Sequence, residues 1–160
     1  MTDPPRHLTL RSPDETARLA ARIAPGLRPG DCLLLAGPIG AGKTHFARHL
    51  IQSILKLPED VPSPTFTLVQ VYDTRAGELW HADLYRLNST GEIEELGLVD
   101  AFEQAICLVE WPDRLGPLAP PHALRVRFSA DAPDDEVRHV ELDWSDPKWS
   151  RLMRESPEHG

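Results

Sequence analysis

The sequence predicts a three-layer α/β domain, a P-loop NTPase-like fold whose central mixed sheet is flanked by helices. Two observations predict it: a glycine-rich phosphate-binding loop, and apolar runs typical of buried parallel strands. Residues 37–44 read GPIGAGKT and match the loop pattern GxxxxGK(S/T). An apolar run at 32–36 precedes the loop, and residues 46–55 follow it with apolar side chains at helical spacing. This order favours a nucleotide site over a glycine-rich turn that binds nothing.

Each part of the loop predicts a contact with the nucleotide. Backbone N–H groups would surround the phosphate oxygens, and the helix N-terminus adds positive potential there. Lys43 would reach the β- and γ-phosphates, and the Thr44 hydroxyl would ligate magnesium. The predicted nucleotide-binding residues of this region are Gly37, Pro38, Ile39, Gly40, Ala41, Gly42, Lys43, Thr44 and His45.

Length and composition indicate one domain over residues 1–160, with a core over about 8–144. Beyond Trp144 the chain becomes polar and rich in proline, so we expect residues 145–160 to form a frayed tail. The two cysteines, Cys32 and Cys107, lie in apolar runs without metal-ligand spacing and predict buried free thiols.

Net charge and hydropathy reduce the range of partners and locations that the sequence allows. The net charge of −8 argues against naked nucleic acid as the main partner, because neutralising phosphates requires a basic face. The sequence has no apolar stretch of about 20 residues, and its first residues do not resemble a signal peptide. We therefore expect a cytoplasmic protein that does not enter a membrane.

Hydrophobic periodicity and turn residues predict the remaining elements. A helix begins at Pro13, with Ser12 as its N-cap and Glu15 at the third helical position completing a capping box, and ends near Pro25. Parallel strands are expected next to the loop, with antiparallel additions over 66–85 and after 123. The predicted segments are strands at 66–72, 79–85, 105–109, 123–128 and 137–142, a turn at 74–77, and a short acidic helix at 90–96.

Two carboxylates follow strand-like runs and are candidates for the chemistry. Glu110 ends the apolar run 105–109, where phosphate-loop proteins hold magnesium directly or through water; the alternative is an acid that points into solvent. Asp83 could orient the attacking water, accept its proton or hold a metal-bound water, or form a structural salt bridge. His81 and Tyr85 would face the same way as Asp83 in a regular strand, in packing or interface roles.

A third candidate lies in the tetrapeptide Ser63-Pro64-Thr65-Phe66, about twenty residues after Thr44 on a loop rich in proline. In switch-type nucleotide hydrolases a threonine at such a place senses magnesium and the γ-phosphate. Thr65 is this candidate, and the alternative is a hydroxyl that only caps the next strand.

Four motifs taken together resemble the TsaE family, formerly called YjeE. They are GPIGAGKT, SPTFTLVQVY, HADLYRL and ICLVEWPDRL, and the resemblance runs from Pro13 to about Leu115. The family is a small bacterial ATPase of tRNA threonylcarbamoyladenosine biosynthesis. The resemblance therefore implies ATP and Mg²⁺ as cofactors and an ATPase dependent on its partners.

The resemblance also implies a role for individual residues. Lys43 and Thr44 would bind phosphate and magnesium, and Glu110 would be the second magnesium-associated ligand. Asp83 would be needed for hydrolysis, and Thr65 would be the switch-like residue. Further contacts with the nucleotide are implied for Trp111 and Thr16, with Arg138 as a weaker candidate.

By resemblance, the chain would serve the TsaB–TsaD complex, with ATP hydrolysis supporting turnover of that complex and tRNA met only through it. Two alternatives remain from the residues: a small-molecule P-loop kinase with Asp83 as base, and a nucleotide-gated binding module without hydrolysis. The chain departs from the family at Pro38-Ile39, where Asp-Leu is usual, and at His45, where Thr is usual. Because Pro38 removes one N–H donor, we expect altered affinity and not lost binding.

Overall fold

The computed structural model describes residues 6–38, 40–64, 67–132 and 136–155. The predicted site residues Ile39 and Thr65 lie outside these ranges, as do Phe66 of the predicted strand and residues 156–160 of the predicted tail. The strands in the described ranges are β1 (Arg6–Leu10), β2 (Cys32–Ala36), β3 (Val69–Thr74), β4 (Gly77–Asp83), β5 (Ile106–Glu110), β6 (Leu124–Ser129) and β7 (Arg138–Asp143). The helices are α1 (Pro13–Ile23), α2 (Lys43–Ile54), α3 (Thr90–Glu95), α4 (Leu98–Gln104) and α5 (Pro147–Glu155), with 3₁₀ segments at Ala24–Gly26 and Pro112–Leu118.

The strands form one mixed sheet in the order β1-β7-β6-β2-β5-β4-β3. The strand before the loop, β2, pairs in parallel with β5 and β6, and β4 pairs in parallel with β5. The other strands, β1, β3 and β7, join antiparallel. The predicted α/β fold is confirmed, but the expectation that β4 and β6 are antiparallel additions is wrong. Between β4 and β5 the chain crosses over through α3 and α4, and such a crossover makes the two strands parallel.

Helices cover both faces of the central strands. The pair α1 and α2 packs on the face that carries Leu33 and Leu35, and α3 and α4 pack on the face that carries Leu34 and Val109. All five residues of β5 are buried. This double burial explains why β2 and β5 are apolar throughout, as the sequence indicates.

Local signals placed several elements correctly. The helix predicted from Pro13 is α1, and the Ser12 hydroxyl accepts the N–H of Glu15 at 3.3 Å. The two predicted strands over 66–85 are the hairpin β3–β4, whose register pairs Thr74 with Gly77 at the turn. The short acidic helix is α3, whereas β1 and α4 were not predicted.

The prediction of a frayed tail after Trp144 is wrong for the part that the structure describes. Residues 147–155 form the helix α5, in which Trp149 is fully buried and Leu152 and Met153 are nearly so. The indole of Trp149 donates to the carbonyl of His122 at 2.7 Å. Lys148 forms an ion pair with Asp31. Three apolar side chains on one helical face outweigh the polar and proline-rich composition of the segment.

Two predictions from composition concern the environment of the chain. Cys32 and Cys107 are buried and free, as predicted, and burial raises the pKa of the Cys107 thiol to about 12. Among the described residues, no helix has the length and apolar content that crossing a membrane requires.

Because Trp149 is fully buried, Trp149→Ala should lower the free energy of unfolding by about 3–5 kcal/mol. Urea unfolding followed by circular dichroism measures this loss. Arg151→Ala, on the exposed side of the same helix, is the control and should change stability by about 0.5 kcal/mol or less. Equal stability of the two variants would mean that α5 does not pack on the core.

Candidate nucleotide-binding site

The phosphate loop joins β2 to α2 through glycines in a backbone conformation that L side chains rarely adopt. Gly37, Gly40 and Gly42 have φ angles of +137°, +81° and +110°. A Cβ atom on Gly37 would also lie 2.5 Å from the carbonyl oxygen of Phe128 on β6. Gly42 precedes α2, and its carbonyl accepts the N–H of Phe46 at 2.9 Å. The loop is therefore seated on β6, at the N-terminus of α2, where phosphate oxygens are favoured.

Lys43 begins α2 and is only 5% exposed. Its ammonium donates to the carbonyl oxygen of Gly37 and lies 3.6 Å from the ring centroid of Trp111. Burial lowers the pKa of the ammonium, and the charges of Glu110 and Asp83 partly oppose that shift. The cation that would bind phosphate is thus held between the loop and an aromatic face.

Glu110 is buried, so the alternative that it points into solvent is wrong. It ends β5 with 1% exposure, and both of its carboxylate oxygens have partners. Thr44 donates its hydroxyl to Oε1 at 2.9 Å, and Nε2 of His81 lies 2.7 Å from Oε2. Glu110 therefore connects β4, β5 and α2 at the edge of the sheet where the phosphate loop begins.

Asp83 lies beside Glu110 at the end of the neighbouring strand. The register of β4 and β5 pairs the two residues, and Asp83 is 5% exposed. Its Oδ1 accepts the N–H of Tyr85 at 3.0 Å. Because β4 ends at Asp83, the alternation that would place Tyr85 with His81 stops there. His81 is fully buried, and Tyr85 is 44% exposed.

Trp111 follows Glu110 and has a left-handed backbone, with φ of +60° and ψ of +53°. Such a conformation is uncommon for a bulky residue and stores strain. The ring lies against the Lys43 ammonium and has its centroid 4.8 Å from that of Tyr85. The left-handed turn therefore brings the indole back over the site at the end of β5.

The remaining predicted contacts lie around the loop. The guanidinium of Arg138 donates to the carbonyl of Gly40 at 3.3 Å, so Arg138 lies at the loop, and its contact with a nucleotide stays a prediction. Nε2 of His45 lies 3.1 Å from the carbonyl of Pro13, which joins the first turn of α2 to the start of α1. Thr16 is buried on α1, one turn after Pro13. Its contact with a nucleotide stays a prediction.

His81 is the residue of the site that sequence reasoning undervalued, since it was given only a packing or interface role. The spacing His81-Ala82-Asp83 places the imidazole one alternation before Asp83 on the same face of β4. Its partnership with Glu110 depends on the pairing of β4 with β5, which a single sequence does not display. The alternation of polar residues within a buried strand was the available signal.

Comparisons with known proteins show similarity over the region that contains the motifs of this site. The family model described as "Threonylcarbamoyl adenosine biosynthesis protein TsaE" matches residues 10–140. The TsaE protein of Rickettsia conorii is 40% identical over 122 residues, covering 76% of this chain and 70% of that protein. The TsaE protein of Bacillus subtilis is 35% identical over 149 residues, covering 92% and 91%. Both are named tRNA threonylcarbamoyladenosine biosynthesis protein TsaE.

A solved structure extends the similarity to the whole fold. The crystal structure of YdiB from Bacillus subtilis aligns with a TM-score of 0.75 and 27% identity, covering 97% of this chain and 95% of that one. The glycine loop between β2 and α2 and the mixed sheet define a P-loop NTPase-like α/β protein. The family match covers the phosphate loop and every motif through Glu110. The chain belongs to the TsaE family, which confirms the resemblance and extends it to residues 10–140.

Two of the three loop glycines, Gly37 and Gly40, should respond differently to substitution by alanine. Gly37→Ala places a Cβ 2.5 Å from a backbone oxygen, so the free energy of unfolding should fall by about 3 kcal/mol or more. Apart from its chain neighbours, no described residue has an atom within 4 Å of a Cβ added to Gly40, so Gly40→Ala should cost only the left-handed strain, about 1–2 kcal/mol. Urea unfolding of both variants measures the difference, and equal losses would contradict the seating of the loop on β6.

Proposed function

We propose that this chain binds ATP with Mg²⁺ and hydrolyses it as an accessory protein of tRNA threonylcarbamoyladenosine synthesis. One observation carries the proposal: a buried carboxylate, Glu110, is hydrogen-bonded to Thr44, which follows Lys43 in the phosphate-loop motif. The names of the relatives supply the pathway. The predicted roles of the loop residues, Thr16, Thr65, Trp111 and Arg138 belong to this proposal.

The atoms around Glu110 fit a magnesium ion. Thr44 offers a hydroxyl and Glu110 a carboxylate, and Mg²⁺ prefers such hard oxygen ligands. Their oxygens are 2.9 Å apart, so both donors already lie at one point at the N-terminus of α2. We assign Thr44 and Glu110 as the residues that would hold Mg²⁺, with Glu110 acting directly or through a water. When bound, the ion would neutralise charge on the β- and γ-phosphates.

Lys43 would bind the terminal phosphates. Its ammonium is largely shielded from water, and its neighbours are the Gly37 carbonyl, the Trp111 indole and the negative charges of Glu110 and Asp83. A hydrogen bond from the ammonium to a negatively charged phosphate oxygen is stronger than one to the neutral Gly37 carbonyl, so phosphate oxygens can replace that carbonyl. The Trp111 ring would then contact the nucleotide instead of covering the cation.

Asp83 would orient the attacking water and accept its proton. The parallel pairing of β4 and β5 places its carboxylate next to that of Glu110. Its Oδ1 is held by the N–H of Tyr85, which orients the side chain. General bases in such positions contribute roughly 10²- to 10⁴-fold to rate.

The TsaB–TsaD complex is the proposed partner, in the cytoplasm. A net charge of −8 disfavours direct binding of tRNA, so tRNA would be met through that complex. The exposed ring of Tyr85 packs against Trp111 at an interplanar angle of 48°, so a partner that binds at Tyr85 would lie next to the nucleotide site. Such a contact would couple hydrolysis to docking.

The proposal is tested by ATP hydrolysis with Mg²⁺, measured for the chain alone and with the TsaB–TsaD pair. We expect a slow rate alone and a faster rate with the pair. Asp83→Asn should keep most of the ATP affinity and lose roughly 10²- to 10⁴-fold in rate, because an amide accepts no proton. Lys43→Ala should weaken ATP binding about 10- to 100-fold, because a charge-assisted phosphate bond is lost.

Lys56→Ala is the matched control, since Lys56 is exposed and pairs with Asp73 away from the loop. It should leave ATP affinity and hydrolysis unchanged. Full turnover by Asp83→Asn would remove that residue from the mechanism. A rate indifferent to the pair, with a phosphorylated small metabolite as product, would establish the kinase alternative instead.

A further inference from the structure

We infer that His81 is a positioning residue that fixes the carboxylate of Glu110 for magnesium through a hydrogen bond from Nε2–H. The inference rests on the proposed function and adds a residue that the phosphate-loop pattern does not contain. Its basis is the contact between His81 Nε2 and Glu110 Oε2 at 2.7 Å, in which the side-chain exposures are 0% and 2%.

The location of His81 makes it an anchor and excludes direct contact with solvent. It lies on β4 opposite Leu108, one alternation before the pair Asp83 and Glu110. His81, Asp83 and Glu110 lie with Leu108 on the sheet face on which α2 begins. Of these four side chains, only that of Leu108 is apolar. The imidazole therefore meets Glu110 from inside the sheet, whereas Thr44 meets it from the loop.

The surroundings of the ring indicate which nitrogen carries the proton. His81 Nδ1 is buried and has no hydrogen-bond partner among the residues that the structure describes. An imidazolium, or a neutral ring with its proton on Nδ1, would leave a buried N–H without an acceptor. In the Nδ1-protonated ring, the lone pair of Nε2 would also face a lone pair of the carboxylate oxygen. The neutral ring with its proton on Nε2 leaves only a lone pair unmatched and donates to Glu110.

The two oxygens of Glu110 then have separate partners. Oε1 faces Thr44 at the loop, and Oε2 is held by His81. If Oε2 is held from within the sheet, rotation of the carboxylate is restricted and Oε1 stays at the point where Thr44 would share a metal ion. Partners of this kind orient ligating groups, and their loss typically reduces metal affinity 10- to 100-fold.

The test uses the full chain and compares His81→Leu with His81→Gln. Calorimetry measures ATP affinity at a series of Mg²⁺ concentrations and also without Mg²⁺. His81→Leu should raise the Mg²⁺ concentration for half-maximal effect about 10- to 100-fold and leave the affinity for metal-free ATP unchanged. His81→Gln should recover much of this loss, because its amide N–H can take the place of Nε2–H.

Leu79→Ala is the matched control, because Leu79 is fully buried on the same face of β4. Its truncation should destabilise the fold without removing a partner of Glu110. It should keep the wild-type Mg²⁺ requirement. If His81→Leu keeps that requirement too, or if His81→Gln is as impaired as His81→Leu, the positioning role is wrong. If the wild type itself binds ATP equally with and without Mg²⁺, the proposed function and this role fail together.

A second measurement needs neither nucleotide nor metal. Nitrogen-15 NMR of the imidazoles should show a persistent Nε2 proton on His81, identified as the signal that disappears in His81→Gln, whereas the Nε2 proton that His122 donates to the carbonyl of Gly30 should remain. The proton should shift upfield in Glu110→Gln, because the amide is a weaker acceptor than the carboxylate. A His81 protonated on Nδ1 would overturn the inference.

Discussion

The site depends on the hydrogen-bonded carboxylate of Glu110. A buried carboxylate needs partners because its desolvation is costly, and here the partners come from different parts of the chain. Thr44 belongs to the phosphate loop, and His81 belongs to β4. Satisfying one charge thus fixes the relative positions of α2, β4 and β5.

The parallel arrangement of the central strands makes this possible. Because β2 pairs with β5 and β5 pairs with β4 in the same direction, their carboxyl ends meet at one edge of the sheet. Residues far apart in sequence, Thr44 and Glu110, are therefore within hydrogen-bond distance. Ligands bind in such places in open α/β sheets.

Lys43 adds a second constraint. Its ammonium contacts the Gly37 carbonyl and the Trp111 ring, so a phosphate that bound Lys43 would compete with both contacts. Trp111 has a strained left-handed backbone, and its ring packs at a tilt against that of Tyr85. Phosphate binding at the loop would therefore be linked to the position of the ring pair Trp111 and Tyr85 at its edge.

Features with a local cause could be predicted from the sequence, and features that depend on pairing could not. Each of three such features depends only on residues close together in sequence: the phosphate loop, the cap at Ser12 and the apolar run that ends at Glu110. The bond from His81 to Glu110 requires the β4–β5 register, and the packing of α5 requires the position of Trp149 relative to His122. The polar composition after Trp144 indicates a tail. That prediction is wrong because composition carries no information about the tertiary contact of Trp149.

The most direct measurement is a crystal structure of the chain with Mg²⁺ and a non-hydrolysable ATP analogue. We expect the phosphates in the loop, Lys43 released from the Gly37 carbonyl, and Mg²⁺ about 2.0–2.1 Å from the Thr44 hydroxyl, with Glu110 beside it and still bonded to His81. A nucleotide bound elsewhere, or a metal ion held away from Thr44 and Glu110, would contradict the assignment of this site.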